Sequence, residues 1–345
     1  MIPLDNIQDI NSGHNYKRVE YTRRDYAIDF MKCLAAVMIT NSHFQPLYSG
    51  VNEGFATFGV HGNALFFFVA GFLLMSGFKK NPKSFVNWYQ KRMQRLWPTF
   101  FIWVSFAGLL FGSIITFQKL FLFTDYWFIQ CIVVYYALYF ALCSQPKFER
   151  FGGGKFVYAI SILISIVAAF VLPKSQVSLF HSEWHYICHF SAMLLGGICY
   201  SSGHSHKKSD WMICLLSFVG YFLIMKLGKG QTTPIYYIQV LALIPLHVFL
   251  WYCYKVCSRD QTKKLFERQL LGRFLQVVSA LTLEIYVVQF HVISEKWNVV
   301  PFPFNILMVF VVICLTAYIL RLAVNTFIQF LSKEEWNLSE ILRLY

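Results

Sequence analysis

Ionisable side chains lie within an apolar segment near the start of the chain, between Arg23 and Phe44. Lys32 and His43 are eleven residues apart. In an α-helix this spacing is close to three turns, so both would project from one face, roughly 16 Å apart along the axis. We call this helical face the Lys32 to His43 stripe, and Asp29 falls near it. Charged groups are costly in hydrocarbon, which predicts a bundle interior, a water-filled cavity or a ligand path. Within such a path, His43 could act as a general base or as a nucleophile.

A second group of candidates follows the next apolar segment. Six basic residues lie within 79–96, and aromatic and basic residues alternate at helical spacing from Phe85 to Leu96. This pattern predicts an amphipathic helix on the membrane surface. Arg92 and Arg95 are adjacent on one helical face, where they could bind phosphate oxygens. An anchor for lipid headgroups is the alternative interpretation.

Two later segments carry further polar candidates. Glu284, Tyr286 and His291 lie in one apolar segment, and seven residues separate Glu284 from His291, which displaces them by only about 20° around a helix. A buried glutamate is expected to be protonated or paired with a basic group. His185 and His189 lie one turn apart in another segment, but no HExxH pattern occurs and no metal site is predicted. Contact with solvent or substrate is the favoured interpretation for this histidine pair.

The composition places these candidates in a membrane protein. Of 345 residues, 57% are apolar and 14% charged, and the mean hydropathy is +0.50. These values favour one helical membrane domain over two or three soluble domains. The net charge of +13 could indicate nucleic-acid binding, but the basic residues lie between apolar runs, so no nucleic-acid partner is expected. The nine cysteines form no CxxC pair and are expected to be buried thiols.

Apolar stretches of about 17 to 25 residues predict an all-α integral membrane protein with about ten transmembrane helices. The predicted spans are 26–47, 59–78, 97–117, 125–143, 155–172, 185–201, 209–226, 233–254, 272–293 and 302–331. With the N-terminus in the cytoplasm, 23 Lys and Arg residues fall on the cytoplasmic side and five on the other. This bias favours both termini inside. The last segment exceeds one straight crossing, so its cytoplasmic end, with Arg321, is expected to emerge as an interfacial helix.

The predicted organisation has three parts. They are a cytoplasmic N-terminal tail at 1–25, one transmembrane domain at 26–331 and a cytoplasmic C-terminal tail at 332–345. The first 20 residues lack an apolar core with a small-residue cleavage site. The first spanning helix is therefore expected to direct insertion.

Four motifs, taken in order, resemble those of the acyltransferase 3 family of polytopic membrane O-acyltransferases. The family's first helix carries a basic residue, ten arbitrary residues and a histidine, with an aspartate three residues before the basic one. Asp29, Lys32 and His43 match this pattern. The run FFFVAGFLL is similar to the family's second motif, with Ala70 in place of the usual serine.

The third and fourth motifs extend the resemblance over nearly the whole chain. Arg92 and Arg95, followed by Pro98, resemble the family's RxxR pair with its proline. The segment TLEIYVVQFH is similar to a family helix near the C-terminus and matches it at Tyr286 and His291. The chain resembles the stand-alone form of the family rather than the form fused to a hydrolase-like domain.

The resemblance implies an acyl-CoA donor, usually acetyl-CoA and sometimes succinyl-CoA, which acylates a hydroxyl of a cell-surface or exported glycan. It implies no permanently bound cofactor and a bacterial inner membrane location. Lys32, Arg92 and Arg95 would bind the donor. His43, Glu284 and His291 are the catalytic candidates, and Asp29, Tyr286, His185 and His189 are the substrate-binding candidates. The bilayer is an expected partner, and self-association is left open. A transporter or flippase, and a non-catalytic subunit of a glycan-assembly complex, are the alternatives.

Overall fold

The structure is a computed structural model, and it describes residues 25–80, 84–123, 125–145, 154–175, 177–203, 205–231, 234–332 and 336–344. These ranges contain helices and no strand. The α-helices are α1 (Tyr26–His43), α2 (Gly59–Lys80), α3 (Phe85–Phe111), α4 (Phe117–Phe121), α5 (Trp127–Cys143), α6 (Lys155–Val171), α7 (His185–Ser201), α8 (Asp210–Gly228), α9 (Leu243–Cys257), α10 (Asp260–Glu267), α11 (Gln269–Ala280), α12 (Thr282–Val292), α13 (Phe304–Ser332) and α14 (Leu338–Ile341). Short 3-10 helices occur at Gln45–Tyr48, Glu53–Phe55, Leu179–His181, Ile235–Ala242 and Glu295–Val299. The predicted N-terminal tail, apart from Asp25, lies outside the described residues.

Apolar helices of membrane-spanning length are present. Within the described ranges, four segments are long and apolar enough to cross a membrane, namely Glu53–Lys79, Asp210–Gly228, Ile235–Cys257 and Phe304–Ser332. The bent pair α11 and α12 would form a fifth if it counts as one span. Helices α5 and α6 are apolar but shorter, with 17 residues each. The predicted all-α membrane class is therefore confirmed.

Helix α1 begins at a side-chain cap. Asp25 Oδ1 accepts hydrogen bonds from the backbone N–H groups of Ala27 and Ile28, at 3.0 and 3.3 Å. These are two of the N–H groups that the first turn of a helix leaves without a partner. The helix ends at His43, and Pro46 then lies in a 3-10 turn. The predicted first span continued to residue 47, but the residue before a proline is biased away from helical geometry.

Helix α2 lies between α1 and α7 because glycines allow the backbones to approach closely. A side chain at Gly62 would meet the backbone of Ile39 and Ala35 on α1. A side chain at Gly71 would overlap the carbonyl group of Met193 on α7. Small residues at such contacts are typical of helix packing in membranes. The first helix is thereby fixed against the centre of the bundle.

Helix α3 corrects the prediction of a separate surface helix before the third span. The structure has one helix of 27 residues, Phe85–Phe111, with Pro98 inside it. Pro98 has no N–H group to donate, so the helix loses one backbone hydrogen bond at that point. Thr99 Oγ1 donates to the Arg95 carbonyl oxygen at 3.4 Å, one of the devices that keep a proline-containing helix intact in membranes. The basic segment and the predicted third span thus form one continuous helix.

The predicted ninth span, 272–293, is broken. Helices α11 and α12 meet at Leu281 with a bend of 80°. The Thr282 hydroxyl donates to the Ser279 carbonyl oxygen at 2.8 Å, and Arg321 Nη2 donates to the Ala280 carbonyl oxygen at 2.9 Å. These bonds satisfy carbonyl groups that the helix end leaves free. Threonine hydroxyls that bond to preceding carbonyls favour such bends.

Candidate active site

A narrow gap separates α1 from α12 and has no room for a water molecule. We call it the α1–α12 gap; it is lined by Ala36, Ile39, Thr40, Thr282, Ile285, Tyr286 and Gln289. The three lining residues of α1 lie between Lys32 and His43 in the sequence. Helical spacing places Ala36 and Ile39 on the same face as these two ionisable residues. The gap therefore follows the stripe that the eleven-residue spacing predicted.

Three polar side chains that line the α1–α12 gap are buried and have a polar atom without a partner among the described residues, namely Thr40, Tyr286 and Gln289. Thr40 is 1% exposed and Gln289 is fully buried. Among the residues that the structure describes, nothing hydrogen-bonds to Thr40 Oγ1 or to either amide atom of Gln289. Buried polar groups usually find a partner, so each exception requires an explanation. Gln289 was not among the predicted site residues, although a glutamine within the apolar run EIYVVQFH was a visible signal.

The Lys32 end of the predicted stripe carries an ion pair. Lys32 Nζ lies 3.2 Å from Asp29 Oδ1. The Lys32 side chain remains 28% exposed, whereas that of Asp29 is 10% exposed. Asp29 therefore pairs with its basic neighbour Lys32, and the ammonium group remains accessible to solvent or to an anion. Nearby, Cys33 Sγ donates to the Leu275 carbonyl oxygen at 3.0 Å, which links this turn of α1 to α11.

His43 lies at the other end of the stripe. Its side chain is half-buried, and its ring packs edge-on against Phe290 of α12, with ring centroids 4.7 Å apart. No hydrogen bond from the described residues occupies its ring nitrogens, so they are free to accept a proton from a bound hydroxyl group. Phe290 directly follows Gln289, and Thr40 lies one turn before His43. His43 therefore lies one helical turn beyond Thr40, the last α1 residue that lines the α1–α12 gap.

The two arginines of α3 differ in their surroundings. The Arg92 guanidinium lies over the Trp88 ring at 3.6 Å and donates to the Trp88 carbonyl oxygen at 2.9 Å. Its Nη2 also approaches Gly77, near the C-terminal end of α2. Arg95 is exposed. Arg92 is thus held in place by stacking, while Arg95 is free to contact an anion.

Glu284 is paired with Arg321, which was not predicted to belong to the site. Glu284 is fully buried, and its two carboxylate oxygens lie 2.9 and 3.0 Å from Arg321 Nη2. One of the two predicted states of Glu284, pairing with a basic group, is therefore observed. Helix α13 continues without a break to Ser332, and the Arg321 side chain is 25% exposed while its guanidinium group reaches Glu284 inside the bundle. The attraction of a buried carboxylate explains this position.

Helix α12 presents two different polar faces. Successive residues turn by about 100°, so Glu284 and His291 lie roughly opposite Gln289. His291 Nδ1 accepts a hydrogen bond from Trp103 Nε1 of α3 at 3.3 Å, and Ser113 Oγ lies 3.4 Å from its Nε2. Tyr286 instead lines the α1–α12 gap. Of the three α12 candidates, the structure thus brings Tyr286 to the face of α1 and the other two to the side of α3 and α13.

His185 and His189 lie in another part of the bundle. His185 Nδ1 is 2.6 Å from the Ser182 carbonyl oxygen, and its ring packs 4.2 Å from that of Trp127. His189 is 2% exposed and stacks on Phe67. Aromatic rings separate this pair from Tyr286 at the gap, since Phe67 contacts Phe128 and Phe128 contacts Tyr286. No group of three His, Cys, Asp or Glu side chains within the described ranges could hold a metal ion.

Comparison with protein families agrees with the four motifs. Residues 25–323 match a family model described as an acyltransferase domain, the acyltransferase 3 family. Comparisons with curated proteins and with solved structures gave no match. The matched range includes both faces of the α1–α12 gap and both ends of the Lys32 to His43 stripe. Because the match covers nearly all of the chain, the protein belongs to the acyltransferase 3 family of membrane acyltransferases.

Proposed function

We propose that this protein transfers an acyl group, preferably acetyl, from acyl-CoA to a hydroxyl group of a cell-surface or exported glycan. The observation that carries the proposal is the α1–α12 gap, whose α1 wall lies between the cationic Lys32 and the imidazole of His43 in the helix. A thin and mostly uncharged pantetheine arm would enter once α1 and α12 separate, because the closed gap has no room for a water molecule. The short lining side chain of Ala36 and the small volume favour a short acyl group over a long one.

The cationic end would hold the phosphates of the donor. Lys32 is accessible at one end of the stripe, Arg95 is exposed, and Arg92 is fixed on Trp88. Hydrogen bonds between these cations and phosphate oxygens are charge-assisted and stronger than neutral ones. Asp29 would keep Lys32 in place before the donor arrives, and a phosphate group would then compete for the same ammonium.

The imidazole end would perform the chemistry. A ring nitrogen of His43 takes the proton of the acceptor hydroxyl while its oxygen attacks the thioester carbonyl carbon. A carbon–oxygen bond forms, the carbon–sulfur bond breaks, and CoA leaves as a thiolate that receives the proton from His43. The alternative, in which His43 takes the acyl group itself before passing it to the acceptor, uses the same position. Tyr286, Glu284, His291, His185 and His189 remain proposed positioning or substrate-binding residues.

We further propose ten membrane crossings, with both termini in the cytoplasm of a bacterial inner membrane. The distribution of Lys and Arg supports this orientation. In a cysteine-free variant, Lys208→Cys should be protected from an impermeant thiol reagent in intact cells, and Lys296→Cys should react. Both residues are exposed. The reverse labelling pattern would exclude the proposed orientation.

The test of function is mass spectrometry of surface glycans from cells with and without this protein. We expect loss of one acetyl mass per modified sugar in cells that lack the protein, and the same loss in cells that carry His43→Ala. A flippase would instead change the amount of exported glycan and leave its mass unaltered. A scaffold would retain the modification in the His43→Ala strain, and either result would reject the proposed transferase.

A further inference from the structure

Gln289 is a buried residue whose side-chain amide has no role in the proposed donor binding or proton transfer. Both of its amide atoms lack a hydrogen-bond partner within the described residues, whichever way round the amide is placed. The α1–α12 gap is too narrow for a water molecule, so solvent does not satisfy the group. Leaving a buried amide unpaired costs free energy in the resting protein. A ligand that enters the gap would supply the missing partner.

The position of Gln289 specifies which part of a ligand it would meet. Thr40 lacks a hydrogen-bond partner within the described residues, as Gln289 and Tyr286 do, and it lies one helical turn before His43 on α1. Phe290, the next residue after Gln289, packs against the His43 ring at 4.7 Å. A donor that extends from Lys32 toward His43 would therefore bring its thioester carbonyl group beside Gln289 and Thr40. Lining residues such as Ile39 and Ile285 are apolar and offer a carbonyl oxygen no side-chain hydrogen bond.

We propose that the Gln289 side-chain amide, with the Thr40 hydroxyl, binds the carbonyl oxygen of the acyl thioester. This inference rests on the proposed acyltransferase function. When the acceptor oxygen attacks, the electron pair of the carbonyl bond moves onto that oxygen, which then carries negative charge. Gln289 Nε2 and Thr40 Oγ1 donate hydrogen bonds to it. When the carbon–sulfur bond breaks, the carbonyl re-forms and the charge leaves with the CoA thiolate, which takes the proton held by His43.

The resting geometry favours this role over a purely structural one. Donors in a site that excludes water stabilise developing charge strongly, because no water competes for their hydrogen bonds. The donors of Gln289 and Thr40 are not held by other protein groups, so they exchange no existing hydrogen bond for the new one. The helices must separate to admit the acyl group, and no hydrogen bond between Thr40 and Gln289 opposes that separation.

The chain offers a matched control in Gln239. Gln239 is also fully buried, but its Oε1 accepts from Leu179 N at 2.9 Å and its Nε2 donates to the Gly228 carbonyl oxygen at 3.0 Å. Replacing Gln239 by Met should lower the melting temperature, because two backbone groups lose their partners. Replacing Gln289 by Met should leave the melting temperature unchanged or raise it, because no hydrogen bond is lost.

The experiment compares wild type, Gln289→Met, Thr40→Val and Gln239→Met in lipid nanodiscs. Transfer from acetyl-CoA is measured together with acetyl-CoA affinity, melting temperature and the infrared band of the ¹³C-labelled thioester carbonyl of bound acetyl-CoA. For Gln289→Met we expect kcat to fall about 100-fold with little change in affinity. The carbonyl band should move to higher wavenumber because a hydrogen bond is lost. Thr40→Val should show the same changes to a smaller extent, and Gln239→Met should leave the band in place.

Two outcomes would overturn the inference. One is a carbonyl band that stays in place in Gln289→Met, and the other is transfer within about twofold of wild type, well short of the loss expected for a removed oxyanion donor. Failure of the proposed function gives a different result. In that case the wild-type protein would transfer no acetyl group to any glycan. If the carbonyl band still moved in Gln289→Met, the carbonyl-binding role of Gln289 would stand although the proposed transferase function would not. Failure of acetyl-CoA to bind wild type at all would exclude both.

Discussion

The His43 ring packs edge-on against Phe290, with centroids 4.7 Å apart. This contact joins the imidazole at the end of α1 to the helix that carries Gln289 and Tyr286. Phe290 therefore fixes the direction of the imidazole, and it does so without occupying the ring nitrogens. The proposed base and the proposed carbonyl site are consequently held by the same pair of packed helices.

His43→Ala should abolish acyl transfer. Loss of a general base typically lowers the rate by about 10² to 10⁴-fold. The side chain is half-buried and makes no hydrogen bond with the described residues, so the melting temperature and acyl-CoA affinity should stay close to wild type. Thiol release from acetyl-CoA in the presence of acceptor provides the rate. Retention of near-normal transfer would remove His43 from the chemistry.

Phe290→Ala should weaken the alignment of His43 without removing the base. We expect kcat to fall by more than the change in donor affinity, because a misplaced catalytic group loses rate rather than binding. Phe290→Tyr keeps the ring contact and serves as the control, with transfer near wild type. Equal losses in both variants would show that the edge-on contact is not what positions the imidazole.

Replacing Arg95 by Gln should weaken acyl-CoA binding. Arg95 is exposed, and a charge-assisted hydrogen bond to phosphate is worth about 1.5 to 3 kcal/mol, or about tenfold or more in affinity. The loss should shrink at high salt, since exposed charges are screened. Lys263→Gln is the control, because its exposed ammonium lies 3.9 Å from Glu267 and its removal also deletes one surface charge.

A double variant separates donor binding from membrane anchoring. Arg92→Gln with Arg95→Gln should lower acyl-CoA affinity further and leave acceptor affinity unchanged. Because Arg92 stacks on Trp88, some loss of melting temperature is also expected. Calorimetric titration with acyl-CoA provides the affinities. If the double variant binds acyl-CoA as tightly as wild type does, the pair is a lipid-headgroup anchor.

The ion pair between Glu284 and Arg321 should stabilise the folded protein against unfolding. Arg321→Met leaves a fully buried carboxylate without its cation, a change that typically costs about 3 to 5 kcal/mol. Glu284→Gln should cost less, because the remaining guanidinium is partly exposed. In a double-mutant cycle of thermal unfolding, the double variant should recover part of the loss. Simple addition of the two single losses would argue against direct coupling.

Hydropathy and spacing predicted several elements closely. The predicted span 185–201 coincides with α7, and the Lys32 to His43 stripe coincides with one wall of the α1–α12 gap. The break at Leu281 was missed because no glycine or proline marks it, and the hydroxyl of Thr282 acts only through backbone groups next to it. Such local bonds do not alter a hydropathy pattern.

The sequence alone also could not predict which residues far apart in the chain pair with each other. Arg321 and Glu284 lie 37 residues apart, and their contact depends on how α13 packs against α12. The spacing of Glu284 and His291 correctly placed them on one face of a helix. It could not show that this face turns toward α3 and α13, so that Gln289 rather than His291 meets α1.

The most direct test of the account is transfer by purified protein in nanodiscs, with radiolabelled acetyl-CoA and a mixture of surface glycans. If the protein is an acyltransferase with His43 as its base, label appears on a glycan hydroxyl and one CoA thiol is released for each label transferred. His43→Ala should eliminate both. Thiol release and glycan labelling that persist in His43→Ala would contradict the account, as would a wild-type protein that leaves acetyl-CoA intact with every acceptor.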